Sequence, residues 1–161
     1  MREAARVAAK RGLPAFVSEQ SGLNLFTRTA LDDVIPACQE LGMAFIPYFP
    51  LASGMLTGKY RRGAVPLSGT RLSDNLDEAA KERLFSERTF ARLEALEAFA
   101  RHRGHTLLEL AFAWLLAQPT VASVIAGAAK PGQAGSNAAA AGWSLSAEDA
   151  AIATSTVVNA S

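Results

Sequence analysis

The sequence predicts an α/β fold built from parallel βα units. Three short apolar runs, at 15–20, 44–50 and 121–126, alternate with longer stretches of helical spacing. Short buried strands between longer helices are the pattern of βα units in a parallel sheet. The middle run, Ala44 to Pro50, is apolar without clean alternation, as strands covered on both faces usually are. Three strands cannot close a barrel, which takes about eight strands and typically about 250 residues. The 161 residues are therefore either a small open sheet or part of something larger.

Taken in order, residues 1–12 read as an amphipathic helix stopped by Gly12. The first strand is expected at Ala15 to Gln20. Thr29, with Asp32 three residues on, is placed to cap a helix that carries Leu31, Val34, Ile35, Cys38 and Leu41 on one side and ends at Gly42. Pro36 should kink or restart its first turn. Residues 61–76 are expected as loop. From Leu76 to Arg103 the composition turns to Ala, Glu, Leu and Arg, which predicts two helices breaking near Ser86, with Gly104 closing them. A helix over Leu107 to Leu116 runs up to Pro119. Val121 to Ala126 is the third strand, and Gly127 to Lys130 a tight connection. Pro131 stands at a plausible first helical position, in a helix running to Ala141. Ser146 begins a last capped helix.

Composition excludes some functions. Half the residues are hydrophobic and the net charge is +1, which gives no reason to expect nucleic acid or an anionic membrane as partner. No apolar stretch approaches the roughly 20 residues of a membrane span, and the first residues lack the apolar region of a secretory signal. Cys38 is alone, so no internal disulfide forms and a reducing, cytoplasmic compartment fits. On the apolar side of its helix it reads as buried and inert. His102 and His105 flank Gly104, with no carboxylate or cysteine cluster beside them. A helix C-terminal role suits them better than metal.

Two loops carry the chemistry. After the middle strand, Leu51, Ser53, Gly54 and Lys59 form a small-residue turn closed by a lysine. That composition suits a phosphate cradle, and an ordinary surface loop explains it equally well. After the third strand, Gly127 permits close approach, Lys130 supplies charge, and a helix N-terminus follows, which favours an anion. A normal strand-to-helix turn explains that turn alone. The two together are more telling, because phosphate sites of βα barrels often use the loops after the last two strands. Tyr48, at the strand end, offers a ring for packing on a planar group or for the core. Gln20 ends the first strand and could bond a carboxamide.

These residues resemble a family, the aldo-keto reductases. Ile46-Pro-Tyr-Phe-Pro-Leu-Ala-Ser-Gly-Met-Leu-Thr-Gly-Lys-Tyr60 is similar to its seventh strand and cofactor loop. Val124-Ile-Ala-Gly-Ala-Ala-Lys-Pro-Gly-Gln-Ala-Gly-Ser-Asn137 is similar to its eighth strand and following helix. Val17 to Gln20, with Asn24, Leu25 and Arg28, resembles the sixth strand. Pro36-Ala-Cys with Glu40-Leu-Gly42 fits the next helix. The matches keep the family's order over nearly the whole chain.

The resemblance implies the C-terminal half of a (β/α)₈ TIM barrel, a single partial domain over residues 1–161 that carries most of an NADPH site. Tyr48 would stack on the nicotinamide and Gln20 bond its carboxamide. Leu51, Ser53, Gly54 and Lys59 would line the pyrophosphate, and Arg71 would reach in from the long loop. Gly127 and Lys130 would face the 2′-phosphate, while Gln133 and Asn137 would hold the adenosine. Phe49, Ala126 and Ala129 depart from the family pattern, and Ala129 lacks a hydroxyl many members place beside the 2′-phosphate. Gly22 and Leu23 replace a more usual acidic-aromatic pair.

The implied activity is NADPH-dependent reduction of a small-molecule aldehyde or ketone. The family's catalytic aspartate, tyrosine, lysine and histidine lie on the first half of the barrel, and no residue here takes any of those roles. The 161 residues alone are expected to be inactive. The alternative is a non-enzymatic NADP-binding or regulatory module. An unpaired half-barrel edge further implies self-association.

Overall fold

The computed structural model describes residues 1–63, 82 and 84–160. Its centre is a small parallel sheet. Strand β1 (Ser18–Glu19) pairs with β2 (Ala44–Phe45), Ser18 opposite Ala44 and Glu19 opposite Phe45. The ladder continues past these short strands. Ala44 N–H donates to Val17 O, Ile46 N–H to Glu19 O and Tyr48 N–H to Ser21 O, at 2.9–3.1 Å. On its other side β2 meets residues 121–125, through parallel bridges Phe45–Val121 and Tyr48–Ile125.

The three segments thus lie in chain order with the middle one central, as βα units require, but the third forms isolated bridges in place of a full strand. Pro47 explains this. Successive N–H groups of β2 alternate between its neighbours, Phe45 donating to Thr120 O and Ile46 to Glu19 O. Residue 47 faces the third segment and, being proline, has no N–H to give. Only its carbonyl takes part, accepting from Ile125 at 2.9 Å.

The expected first strand is likewise shortened. Phe16 and Val17 are 72% and 79% exposed; Phe16 lies ahead of the ladder, and Val17 joins it through its carbonyl. Burial along β2 also alternates, against expectation: Phe45 and Pro47 are buried, while Ala44 and Ile46 are half-buried and Tyr48 is exposed. Among the described residues, helices cover one face only. One-sided cover converts a uniformly apolar strand into a period-two burial pattern.

Helix α1 (Arg2–Arg11) ends on Gly12, whose φ of 63° lets its N–H close on the carbonyls of Ala8 and Ala9. Helix α2 (Val34–Leu41) begins later than the Thr29 cap predicted. Thr29–Leu31 forms a separate 3₁₀ turn, and Asp33 precedes α2 without a capping side-chain bond. Pro36 is the cause. In a helix started at Ala30 it would be interior and break a hydrogen bond, whereas started at Val34 it is the third residue, where no intrahelical N–H bond is lost. Arg2 ties α1 to α2 through Asp33 and Glu40.

Helix α3 (Glu87–His102) starts at the expected break, with Ser86 Oγ accepting from Thr89 N–H. The helix expected before it lies mostly outside the described residues. Helix α4 (Leu107–Leu116) has the predicted bounds and a full capping box between Thr106 and Glu109. Helix α5 (Gln133–Ala140) corrects a second expectation: Pro131 is not its first residue. Gly132, at φ 83°, forms the N-cap instead. Helix α6 (Ala147–Asn159) is capped by Ser146 as expected.

The core joins Leu23, Leu25, Ile35, Cys38 and Phe45 to Leu93, Leu96, Leu110, Trp114 and Val157. Fully buried Trp114 still satisfies its polar edge, donating Nε1–H to Thr154 Oγ1 at 2.9 Å and so pinning α4 to α6. Among the described residues no helix is long and apolar enough to cross a membrane.

Candidate functional site

Parallel pairing puts the exits of all three segments at one end of the sheet, so the loops after them are neighbours. Tyr48 stands at that end between the other two segments, bridged to Gly22 on one side and Ile125 on the other. The residue is 47% exposed. The ring edge lies against Gly22, 3.4 Å from where a Cβ would stand. Gln20 is exposed on the first exit.

The loop from Phe49 to Tyr60 is tightly built. Phe49, Ala52 and Ser53 all have positive φ, at 65°, 45° and 57°, followed by Gly54 at 93° and Gly58 at 77°. A non-glycine residue held there costs on the order of 1–3 kcal/mol, and such residues gather where backbone geometry serves a site. The bracing is visible. Asn24, only 2% exposed, donates Nδ2–H to Phe49 O at 3.0 Å, while its Oδ1 accepts from the N–H groups of Phe26 and Thr27. Leu51 O accepts from Gly54 N–H and Leu56 N–H, and Thr57 Oγ1 donates to Gly54 O at 2.7 Å. Leu51 itself packs against the core.

Lys59 folds across Gly54, with Nζ 2.9 Å from where a Cβ would stand, so a side chain there would push the ammonium aside. The ammonium is also 4.9 Å from the centre of the Tyr60 ring. Gly54 and Lys59 are therefore neighbours in space, with Ser53 next to Gly54 in the chain. Lys59 makes no ion pair with a described residue.

The turn after the third segment is looser. Gly127, Lys130 and Gln133 are exposed, and Asn137 is half-buried. The Gln133 carboxamide folds back, its Oε1 accepting from the N–H groups of Ala129 and Lys130 at 2.7 and 3.0 Å. Two of the N–H groups available to an anion there are thus occupied by the chain's own side chain. Asn137 lines a cleft of about 360 Å³ with Phe112, Leu116, Val124 and Ala126. Arg71 lies outside the described residues.

Other candidates resolve differently. Cys38 is fully buried, and burial, then Glu19, pushes its thiol pKa up, away from the thiolate that reactivity needs. His105 stacks on Trp143, ring centres 4.0 Å apart, with Nδ1 3.2 Å from Glu109. No group of three or more potential metal ligands occurs among the described residues. Asn24 is the residue that sequence reasoning undervalued. A polar side chain between two leucines that are both buried was the available signal.

The model of the aldo/keto reductase family matches residues 1–157. A probable voltage-gated potassium channel subunit beta of Oryza sativa is 35% identical over 132 residues, 81% of this chain and 40% of that protein. An uncharacterized oxidoreductase of Bacillus subtilis is 33% identical over 120 residues, 74% of this chain and 34% of that protein. A glycerol dehydrogenase from Gluconobacter oxydans superposes with a TM-score of 0.76 at 26% identity, covering 96% of this chain and 46% of that one. The chain thus spans less than half the length of these relatives. Its sheet and helices correspond to part of a (β/α)₈ barrel.

Proposed function

The chain belongs to the aldo/keto reductase family, and on that premise we propose that it forms the NADPH-binding part of a carbonyl reductase. The activity to which that part contributes is reduction of a small-molecule aldehyde or ketone to an alcohol. One observation carries the reading: adjacent parallel segments deliver the Lys59 loop and the Lys130 turn to the same end of the sheet, with an exposed Tyr48 between them.

The residues fit such a cofactor. Two lysines, neither paired with a described carboxylate, suit a ligand with separated phosphates. Tyr48 offers a ring face for the nicotinamide, and Gln20 a carboxamide to bond its amide. Leu51, Ser53, Gly54 and Lys59 hold the pyrophosphate on a backbone already bent for close approach. Gly127 and Lys130 receive the 2′-phosphate, Gln133 and Asn137 the adenosine, and Arg71 belongs to the same set. When bound, the nicotinamide supplies hydride to the carbonyl carbon.

No residue of the 161 is assigned as proton donor. A polypeptide of these residues alone therefore binds the cofactor without turnover. The relatives named as potassium channel subunits favour a second reading, a cofactor-binding regulatory module. Turnover of NADPH with any aldehyde or ketone, by a chain that includes these residues, separates the two.

Titration with NADPH tests the proposal, followed by fluorescence from Trp114 and Trp143. A saturable change is expected, with NADH binding more weakly because Lys130 has no 2′-phosphate to meet. No saturable change, confirmed by calorimetry, rules the cofactor out.

A further inference from the structure

Lys59 is exposed and carries its charge on a flexible stem, yet the structure holds that charge in one place. The point above Gly54 that a Cβ would occupy lies 2.9 Å from Lys59 Nζ and 3.1 Å from its Cε. The same point is 3.8 Å from Tyr60 Cε2. The tip of the lysine and the edge of the tyrosine ring therefore meet over one glycine. Nζ stands over the ring, 4.9 Å from its centre, within the roughly 6 Å over which a ring quadrupole attracts a cation.

The ring is itself fixed. Tyr60 is buried and meets Phe85 edge-on, with ring centres 5.6 Å apart and planes at 80°. Phe85 in turn lies 6.2 Å from Phe90 of α3. One part of Tyr60 is unused. Its hydroxyl is shut off from solvent and has no acceptor, where a buried tyrosine hydroxyl usually finds one. The hydroxyl thus adds no bond to the loop, and the ring is what meets Lys59.

We propose that Tyr60 is a positioning residue for the Lys59 charge: its ring holds the ammonium over Gly54 before a pyrophosphate arrives. That role rests on the proposed NADPH site and names what readies the lysine for it. A lysine immobilised only on binding gives up rotamer freedom at that moment, and one already held gives up less.

Two measurements test the role. In NMR of the free protein, the ring should shift the Lys59 Hε protons upfield of the other lysines, with Lys59→Arg assigning the signal. Tyr60→Phe should keep that shift, and Tyr60→Leu should lose it. In calorimetric titrations Tyr60→Leu should weaken NADPH binding about threefold, the size of one exposed cation–ring contact. Tyr60→Phe should bind as wild type does, and should melt at or above it because an unpaired buried hydroxyl is gone. In a Lys59→Ala background Tyr60→Leu should cost no further affinity, whereas a merely structural tyrosine would weaken both backgrounds alike. Lys59 Hε protons at the ordinary lysine position, equal losses in both backgrounds, or tighter binding by Tyr60→Leu overturns the proposal. A wild type that shows the upfield signal but binds no NADPH overturns the cofactor reading, and the positioning role with it, while the contact stands.

Discussion

The loop after β2 and the turn after the third segment leave the same end of the sheet, yet they are held in opposite ways. The first is braced before any ligand arrives: buried Asn24 clamps Phe49 O, and three non-glycine residues sit at positive φ. The second is exposed, and Gln133 bonds its own backbone there. Preorganisation lowers the cost of ordering on binding, so the first loop suits the constant, charged middle of a dinucleotide. The second must exchange internal bonds for ligand bonds, which suits the end where cofactors differ.

The comparison breaks first at Asn24. Asn24→Ala should cost about 3 kcal/mol in urea unfolding, because two backbone N–H groups and the Phe49 carbonyl lose their partner. A loss of only a few tenths would mean the loop is not braced from beneath. Gly54→Ala should cost about 1 kcal/mol at φ 93°. By displacing Lys59, it should also weaken NADPH binding about tenfold, a separate loss of about 1.4 kcal/mol. Gln133→Ala sharpens the contrast. Its effect on stability should stay within about 0.5 kcal/mol, as for an exposed surface site, while NADPH affinity falls. Unchanged affinity would show that Gln133 serves the turn alone.

Away from both loops, the α4 cap gives a pH signature. Hydrogen bonds from the Thr106 N–H and hydroxyl, then from His105, hold the Glu109 carboxyl below its ordinary range. A depressed folded pKa contributes stability that is fully present above the unfolded value, about 4.3, and is lost as pH falls through the folded one. Thr106→Ala should cost about 1 kcal/mol at neutral pH. It should also make the acid limb of the stability profile shallower below about pH 4, in part only, because alanine keeps the backbone N–H that bonds Glu109. An unchanged acid limb would assign the Glu109 contribution to that N–H and not to the hydroxyl.

Local chemistry was legible in the chain. The Ser146 cap, the glycine stops at 12 and 42 and the bounds of α4 depend on residues a few positions apart, and they formed where expected. What required the fold was whatever distant segments decide. Strand length depends on a partner's N–H groups, which Pro47 withholds. Helix starts depend on competing signals, so Pro36 overrode Thr29, and Gly132 displaced Pro131. The clamp of Asn24 on Phe49 joins residues 25 positions apart.

The most direct test of the central claim is calorimetric titration of NADPH into wild type and Lys59→Ala. The proposed NADPH site predicts one saturable site in wild type, weakened about tenfold or more when the lysine is removed from the braced loop, the size expected for one charge-assisted phosphate contact. Superimposable isotherms, or no binding by either protein, would contradict it.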